Sequence, residues 1–345
     1  MLCFCSITLF GGFKHMWFSF NNPQNVILID TIESMITLVV HIIVYYTIYI
    51  MMIHIPELDE FMHDLNDYTR FGKPPGIDTA DKYCNYFTYF FYLYGWIGSI
   101  LYSLSSVLDK AECEERDVHK TRECGFLVPL RFPYKIDTLE KFIVTWLLQN
   151  FSLNLLLTSG ITIMSYLYSS VENFNAKIVH LKSEITKLGD RPELVREEIK
   201  FCVDYHVKII EMCKNLNKCW GKLMLYHQMM VTILESLIGI QFLLDPDPKY
   251  MIHGTAWLIS LAIPCYAGQR LLDESSEIPL AIYSSKWYNL DNQSMKDLVY
   301  MLMCANNYLD LNRDGYGPIN LSIVGNVINN IYSVLMLLYS TMSEL

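Results

Sequence analysis

Residues 142–168 read FIVTWLLQNFSLNLLLTSGITIMSYLY, and no Asp, Glu, Lys or Arg interrupts them. A helix needs about 20 predominantly apolar residues to cross a hydrocarbon core of about 30 Å. Two more stretches share the property: 84–108 (CNYFTYFFYLYGWIGSILYSLSSVL) and 319–342 (INLSIVGNVINNIYSVLMLLYSTM). Residues 250–268 are also free of those four residue types, with His253 inside; 26–53 carry Asp30, Glu33 and His41; 223–244 carry His227 and Glu235. Six such stretches in one chain predict an all-α, polytopic membrane bundle rather than a soluble protein with buried helices.

The rest of the composition agrees. Of 345 residues 52% are hydrophobic and 18% charged, against a usual charged share of about 25%. The net charge of −10 argues against a nucleic-acid partner. The sequence contains no GxGxxG, GxxxxGK[ST], HExxH or GxSxG. Ten scattered cysteines form no C-x-x-C pair, so no metal site, no cofactor and no catalytic residue is expected. There is no long internal repeat of the transporter kind. The opening run MLCFCSITLFGGF reaches only to Lys14. That is too short to span, and it lacks the basic start and cleavage site of a signal peptide. Residues 1–25 are expected to be a remnant of a further span plus an outer loop.

Orientation follows from Lys and Arg in the connecting segments. Segments 54–83, 169–222 and 269–318 hold 17 of the 26 basic residues, so this side is expected to be cytoplasmic. The C-terminus then lies outside, the reverse of a G-protein-coupled receptor. The division is 26–168 membrane bundle, 169–222 cytoplasmic extensions, 223–268 membrane bundle, 269–318 cytoplasmic anchor and 319–345 last span. In 169–188 the residues Val171, Phe174, Ile178, Leu181, Ile185 and Leu188 fall on one helical side. Gly189-Asp190-Arg191-Pro192 then stops one helix and starts another. The pattern resumes with Val195, Ile199, Cys202, His206, Ile209, Cys213, Leu216 and Trp220. Each helix would be about 75 Å long and must stand well out of the bilayer. Its stripe needs partners there, and 286–309 offers Trp287, Leu290, Leu298, Met301, Leu302, Ala305 and Tyr308. These stripes are read as packing, without chemistry.

The last span is two-faced. At about 100° per residue, with Ser322 at zero, Asn326, Asn329, Asn330, Ser333 and Ser340 all fall within about 80° of it. Val324, Val327, Ile331, Val334, Leu335 and Leu338 make the opposite face, and Leu337 interrupts the polar ladder near its end. A polar membrane face turns toward other helices or water; the pattern alone leaves hydrogen bonding within one subunit and the wall of a pore both open.

Tyr266-Ala267-Gly268, Leu271, Glu274-Ser275-Ser276 and Ala281-Ile282-Tyr283-Ser284-Ser285-Lys286-Trp287-Tyr288 resemble the pattern that precedes the last span in the insect odorant receptor family. Gly315-Tyr316-Gly317-Pro318, Leu321, Ile331-Tyr332-Ser333 and Leu337-Leu338 resemble its C-terminal pattern, and Cys124-Gly125, Pro129 and Phe132-Pro133-Tyr134 its long outer loop. The resemblance covers roughly residues 26–345. Cys265-Tyr266 inverts the usual order, Arg313-Asp314-Gly315 replaces a commoner Ala-Gly, and the first of seven spans is almost missing.

The resemblance implies inverted topology and an odorant-gated cation channel of four subunits, shared with the olfactory co-receptor, in the plasma membrane of olfactory neuron dendrites. It implies that the last span lines the pore, with Ser322, Asn326, Asn329, Asn330 and Ser333 along it, Leu337 at the gate, and Ser340 and Thr341 at the outer mouth. A small volatile ligand would sit in the outer half of the bundle, where Leu38, His41, Gly98, Tyr102, Trp146, Asn150, His253 and Trp257 are the expected lining. Glu235, a carboxyl inside a span, is a functional candidate whose plainer reading is a pair with His227. Cys113 and Cys124 share the long outer loop and are expected to pair there, with separate thiols as the alternative. Beside the channel stand three other readings: a truncated inactive family member, a metabotropic seven-span receptor, and a transporter.

Overall fold

The computed structural model describes residues 2–21, 28–116, 123–128, 131, 134–313 and 315–343. Its described elements are helices: α1 (Leu2–Asn21), α2 (Leu28–Ile53), α3 (Ile55–Asn66), α4 (Ile77–Leu108), α5 (Lys110–Arg116), α6 (Leu139–Thr186), α7 (Val195–Leu244), α8 (Pro248–Ser276), α9 (Ile278–Ser284), α10 (Asn292–Ala305) and α11 (Leu321–Ser343). Five stretches are long and apolar enough to cross a membrane: 28–53, 77–108, 139–186, 195–244 and 248–284, with a shorter apolar helix at 321–337. The chain is a multi-pass helical membrane protein.

The helix at the start runs past Lys14: α1 continues to Asn21, about 30 Å at 1.5 Å per residue. Lys14 is exposed, with its ammonium 5.1 Å from the Phe10 ring, so the charge leans back along its own helix and leaves the apolar side free. On that side His15 is buried, and its Nδ1 lies 2.9 Å from Ser34 Oγ on α2.

The long helices α6 and α7 form the stem. Their turn is built as the sequence dictates: Gly189 takes φ +84°, Pro192–Leu194 makes a single 3-10 turn, and α7 follows. The positive φ needs glycine. Space demands it too, because a Cβ there would meet Lys286 O at 2.7 Å. Lys286 N–H donates to Leu188 O at 3.1 Å, docking the segment before α10 onto this turn. Val171, Phe174, Ile178, Leu181, Ile185 and Leu188 are no more than 1% exposed. They pack with Ile199, Cys202, Ile209, Leu216 and Trp220 of α7 in one continuous core. Packing of this kind, rather than helix propensity alone, keeps helices of this length ordered.

Two features of this end were not legible. Residues 54–83 hold a helix, α3, that buries Phe61 and Leu65 against the stem. Of the anchor stripe, Leu290, Leu298, Met301 and Ala305 are buried, but Trp287 and Tyr308 are exposed. The 3-10 turn Trp287–Asn289 breaks the periodicity before α10 begins, and Tyr308 lies past its end. Ion pairs tie the layers together: Lys208–Asp64 at 2.7 Å, Lys182 to Glu274 and Glu277 at 2.6 Å each, and Arg270–Glu172 at 2.5 Å. Lys177, 2% exposed, donates from Nζ to Asp67 O at 3.0 Å and lies 4.9 Å from the Tyr68 ring centre. Burial pushes its pKa down to about 8.

Candidate functional site

At the opposite end α2, α4, α6, α7 and α8 leave a cavity of about 230 Å³ between them. The α2 wall is a stripe at helical spacing: Glu33, Ile36, Thr37, Val40, Val44 and Thr47. Phe91, Tyr94, Gly98 and Tyr102 of α4 face it, with Leu156, Leu157 and Met164 of α6 and His253, Trp257 and Ser260 of α8. The polar groups are few and mutually engaged. Tyr102 Oη donates to Glu33 Oε1 at 2.8 Å, and Tyr94 Oη donates to Ile252 O at 3.1 Å. Trp257 Nε1–H donates to His253 Nε2 at 3.0 Å. An indole only donates, so His253 Nε2 carries the lone pair, and a neutral ring keeps its proton on Nδ1. Ser260 Oγ donates to Trp257 O at 2.8 Å and lies 3.3 Å from His227 Nε2. The hydroxyl proton is committed to the carbonyl, so His227 Nε2–H is the donor to Ser260. His227 therefore turns to Ser260, not to Glu235. Glu235 packs instead toward Gly254, where a Cβ would stand 3.1 Å from its Oε2.

Of the eight residues expected to line a pocket, Gly98, Tyr102, His253 and Trp257 do so. Leu38, His41, Trp146 and Asn150 do not. Leu38 points away from the α2 stripe into a shallow cleft beside Leu9, Phe13 and Met16 of α1. His41 is buried at the stripe's edge, its Nδ1 2.7 Å from Thr37 O. Trp146 and Asn150 sit on the right face of α6 but too near its start. There the outer loop folds inward: Leu127 and Val128 line the cavity themselves, and Leu127 N–H donates to Gln149 Oε1 at 3.1 Å. Asn150 Oδ1 accepts from Ser103 Oγ, and its Nδ2 donates to Trp146 O at 2.9 Å. Sequence reasoning kept this loop outside the bundle. It also missed Glu33, although a carboxylate inside an apolar span was a visible signal. The loop is closed by a Cys113–Cys124 disulfide, with Cα atoms 5.8 Å apart.

Helix α11 leans on α7 and α8 through one face. Ile323 and Val327 are buried there, and Val324, Ile331 and Leu335 are partly so. Gly239 of α7 makes room, since a Cβ at that position would meet both Leu335 methyls at 2.9 Å. Ser322, Asn326, Asn329, Asn330, Ser333 and Ser340 are exposed, as is Leu337 at 64%. The ladder is therefore not spent on burial against the described helices of this chain. The Thr341 side chain lies outside the described residues. The start of α11 is gripped from two sides. Gly268 of α8 lets Ile319 O approach to 2.2 Å from where a Cβ would be. Ser275 Oγ donates to Leu309 O at 2.9 Å and accepts Leu309 N–H at 3.0 Å. Asn217 of α7 donates to Asp310 O at 2.9 Å and accepts Asn312 N–H at 2.8 Å.

A bundle of membrane-length helices around an apolar cavity, with a helix presenting an exposed polar face, defines a multi-pass membrane protein with room for a small molecule among its helices. Comparisons with known proteins narrow the class. The family profile described as 7tm Odorant receptor matches residues 26–332. Odorant receptor 30a of Drosophila melanogaster is 29% identical over 153 residues, 42% of this chain and 40% of that protein. The odorant receptor coreceptor of Aedes aegypti is 21% identical over 150 residues, 42% of this chain and 31% of the coreceptor. Odorant receptor 85c of Drosophila melanogaster matches over 27% of its own length, so the matches span less than half of these relatives. The fold of the olfactory receptor OR5 from Machilis hrabei superimposes with a TM-score of 0.76 at 13% identity, covering 98% of this chain and 85% of that one. OR5 has also been solved in complex with eugenol, with the same TM-score. This chain belongs to the 7tm Odorant receptor family.

Proposed function

We propose that the chain is a ligand-binding subunit of an odorant-gated, non-selective cation channel, built as a tetramer with the shared olfactory co-receptor. The observation that carries this reading is the exposed polar face of α11. A row of amides and hydroxyls facing lipid would be costly, whereas the same row facing a central axis lines an aqueous path. Leu337 would narrow that path, and Thr341 would lie at its mouth beside Ser340. The basic end, with the α6–α7 stem and α10, is then cytoplasmic, and the loop-covered cavity lies toward the outside of the plasma membrane.

The fold supplies a route between the two sites. Helix α8 carries His253, Trp257 and Ser260 at the cavity and Gly268 and Ser275 at the α11 grip. A ligand that tilts α8 moves the start of the pore helix without any intervening loop. The test is co-expression with the co-receptor and recording of odorant-evoked current. A cation current dependent on both chains supports the reading. Silence toward a broad panel, with both chains at the cell surface, would instead mark an inactive family member.

A further inference from the structure

The polar groups on the α8 wall of the cavity are connected, and the connection ends at an unused donor. His227 Nε2–H donates to Ser260 Oγ, 3.3 Å away, and Ser260 Oγ donates to Trp257 O at 2.8 Å. Trp257 Nε1–H donates in turn to His253 Nε2 at 3.0 Å. The other nitrogen of that ring, Nδ1, carries the proton. It has no hydrogen-bond partner among the described residues and is not sealed off. His253 lies deep among the helices yet keeps accessible surface, so that surface faces the cavity it lines. The ring cannot turn its proton elsewhere. Trp257 holds one edge, and the Tyr102 ring packs edge-on with centroids 6.0 Å apart. Lining hydroxyls are different: Thr37 and Ser260 have turned back to carbonyls of their own helices, Glu33 O at 2.9 Å and Trp257 O at 2.8 Å, and Ser99 and Thr47 can do the same. One fixed N–H therefore points into a largely apolar space.

We propose that the cavity takes small carbonyl compounds (ketones, aldehydes or esters), with the carbonyl oxygen accepting His253 Nδ1–H and the apolar body filling the rest of the space. This deepens the odorant-receptor reading and rests on it. A carbonyl oxygen is an acceptor with no proton of its own to place, so it asks of the walls one donor and nothing more. A hydrocarbon of the same shape displaces any water from the donor and leaves it bare, which forfeits the whole hydrogen bond. An alcohol accepts too, but it must also find an acceptor for its own proton. The lining carbonyls of Ile252 and Trp257 are already engaged, by Tyr94 Oη at 3.1 Å and Ser260 Oγ at 2.8 Å. An ammonium has no lone pair to offer His253 at all. A cavity of about 230 Å³ is below the roughly 300–1,000 Å³ of drug-sized sites, so the body is limited to one ring or a short chain.

The experiment uses two ketones and their hydrocarbon isosteres: acetophenone with ethylbenzene, and 2-heptanone with heptane. The full chain, co-expressed with the co-receptor and purified in nanodiscs, is titrated with each compound while its melting temperature is followed. This readout needs no channel opening. His253→Phe keeps a ring over the Trp257 indole N–H but offers no donor to the cavity. Comparing each compound between the unaltered protein and this variant cancels its partition into lipid. His253→Phe should weaken the ketone on at least one skeleton roughly tenfold or more, while leaving its hydrocarbon within about threefold. The second readout is infrared: the stretch of a carbon-13-labelled acetophenone carbonyl bound to the unaltered protein should lie below its value in a hydrocarbon solvent. If His253→Phe does not fold, the infrared result decides alone. Ketone and hydrocarbon affected alike on both skeletons, a bound carbonyl at its hydrocarbon-solvent frequency, or binding of none of the four compounds would overturn the proposal. The odorant-receptor reading is judged separately, by current evoked with the broad panel, and survives either result.

Discussion

Gly268→Ala tests how α8 holds the start of α11. The added Cβ would stand 2.2 Å from Ile319 O and 3.1 Å from its carbonyl carbon. Both atoms are backbone, so no rotamer change relieves the clash. Ordinary contact begins near 3.4 Å, so the two backbones must separate by about 1.2 Å. Ile319 cannot withdraw alone. Its N–H donates to Leu311 O at 2.6 Å, and Leu309 is held on both backbone groups by Ser275. Forced overpacking of this kind costs about 1–3 kcal/mol. The control is Gly160→Ala, where a Cβ meets nothing within 4 Å; in a helix interior that change is worth about 0.5–1 kcal/mol in favour of Ala. Purified variants are compared by melting temperature, and their currents by basal and odorant-evoked amplitude with the co-receptor. Gly268→Ala should melt several degrees below Gly160→Ala and show altered basal current, because the shift falls on the first turn of α11. Equal melting temperatures and unchanged currents would refute the close approach as a determinant of α11's position.

Leu337→Ser should raise odorant-independent current, since a polar ring stays wetted where an apolar one dewets and closes; normal surface expression with basal current and selectivity unchanged, while Leu338→Ser alters both, would mean the wrong face was assigned to the pore. Cys113 and Cys124 should both escape alkylation in the absence of reductant, and mass spectra with both labelled would exclude the bridge. The sequon Asn292-Gln293-Ser294 should carry no glycan, because it opens α10 at the basic end and Ser294 is buried; a glycan at Asn292 would invert the topology. Lys177 gives a pH signature. Below about pH 8 it is charged in both the folded and unfolded chain, and between pH 8 and about 10.4 the folded chain has released a proton that the unfolded chain still holds. Stability should therefore rise with pH across that window, and Lys177→Met should flatten the rise; identical pH profiles would show that the buried ammonium carries no such penalty.

The helices were legible because their signals are local. An uncharged stretch such as 142–168 must satisfy its backbone internally and can do so only as a helix. The stripe from Val171 to Leu188 repeats at helical spacing whatever it packs against. Gly189 and Pro192 end and start helices by their own backbone limits. The two faces of α11 were likewise visible as a 100° rotation. What the polar face borders was not, because that depends on which side α7 and α8 occupy. The cavity is the clearest case of tertiary decision. Glu33, Tyr102, His253 and Trp257 come from three helices, and only packing sets them around one space. The inward fold of Leu127 and Val128, which displaces Trp146 and Asn150 from the lining, depends on a loop that meets the bundle from outside and has no periodicity to read. Local backbone and hydrophobic patterns determine what a segment is; the angles between helices determine what is enclosed, and no short stretch of sequence encodes an angle between distant segments.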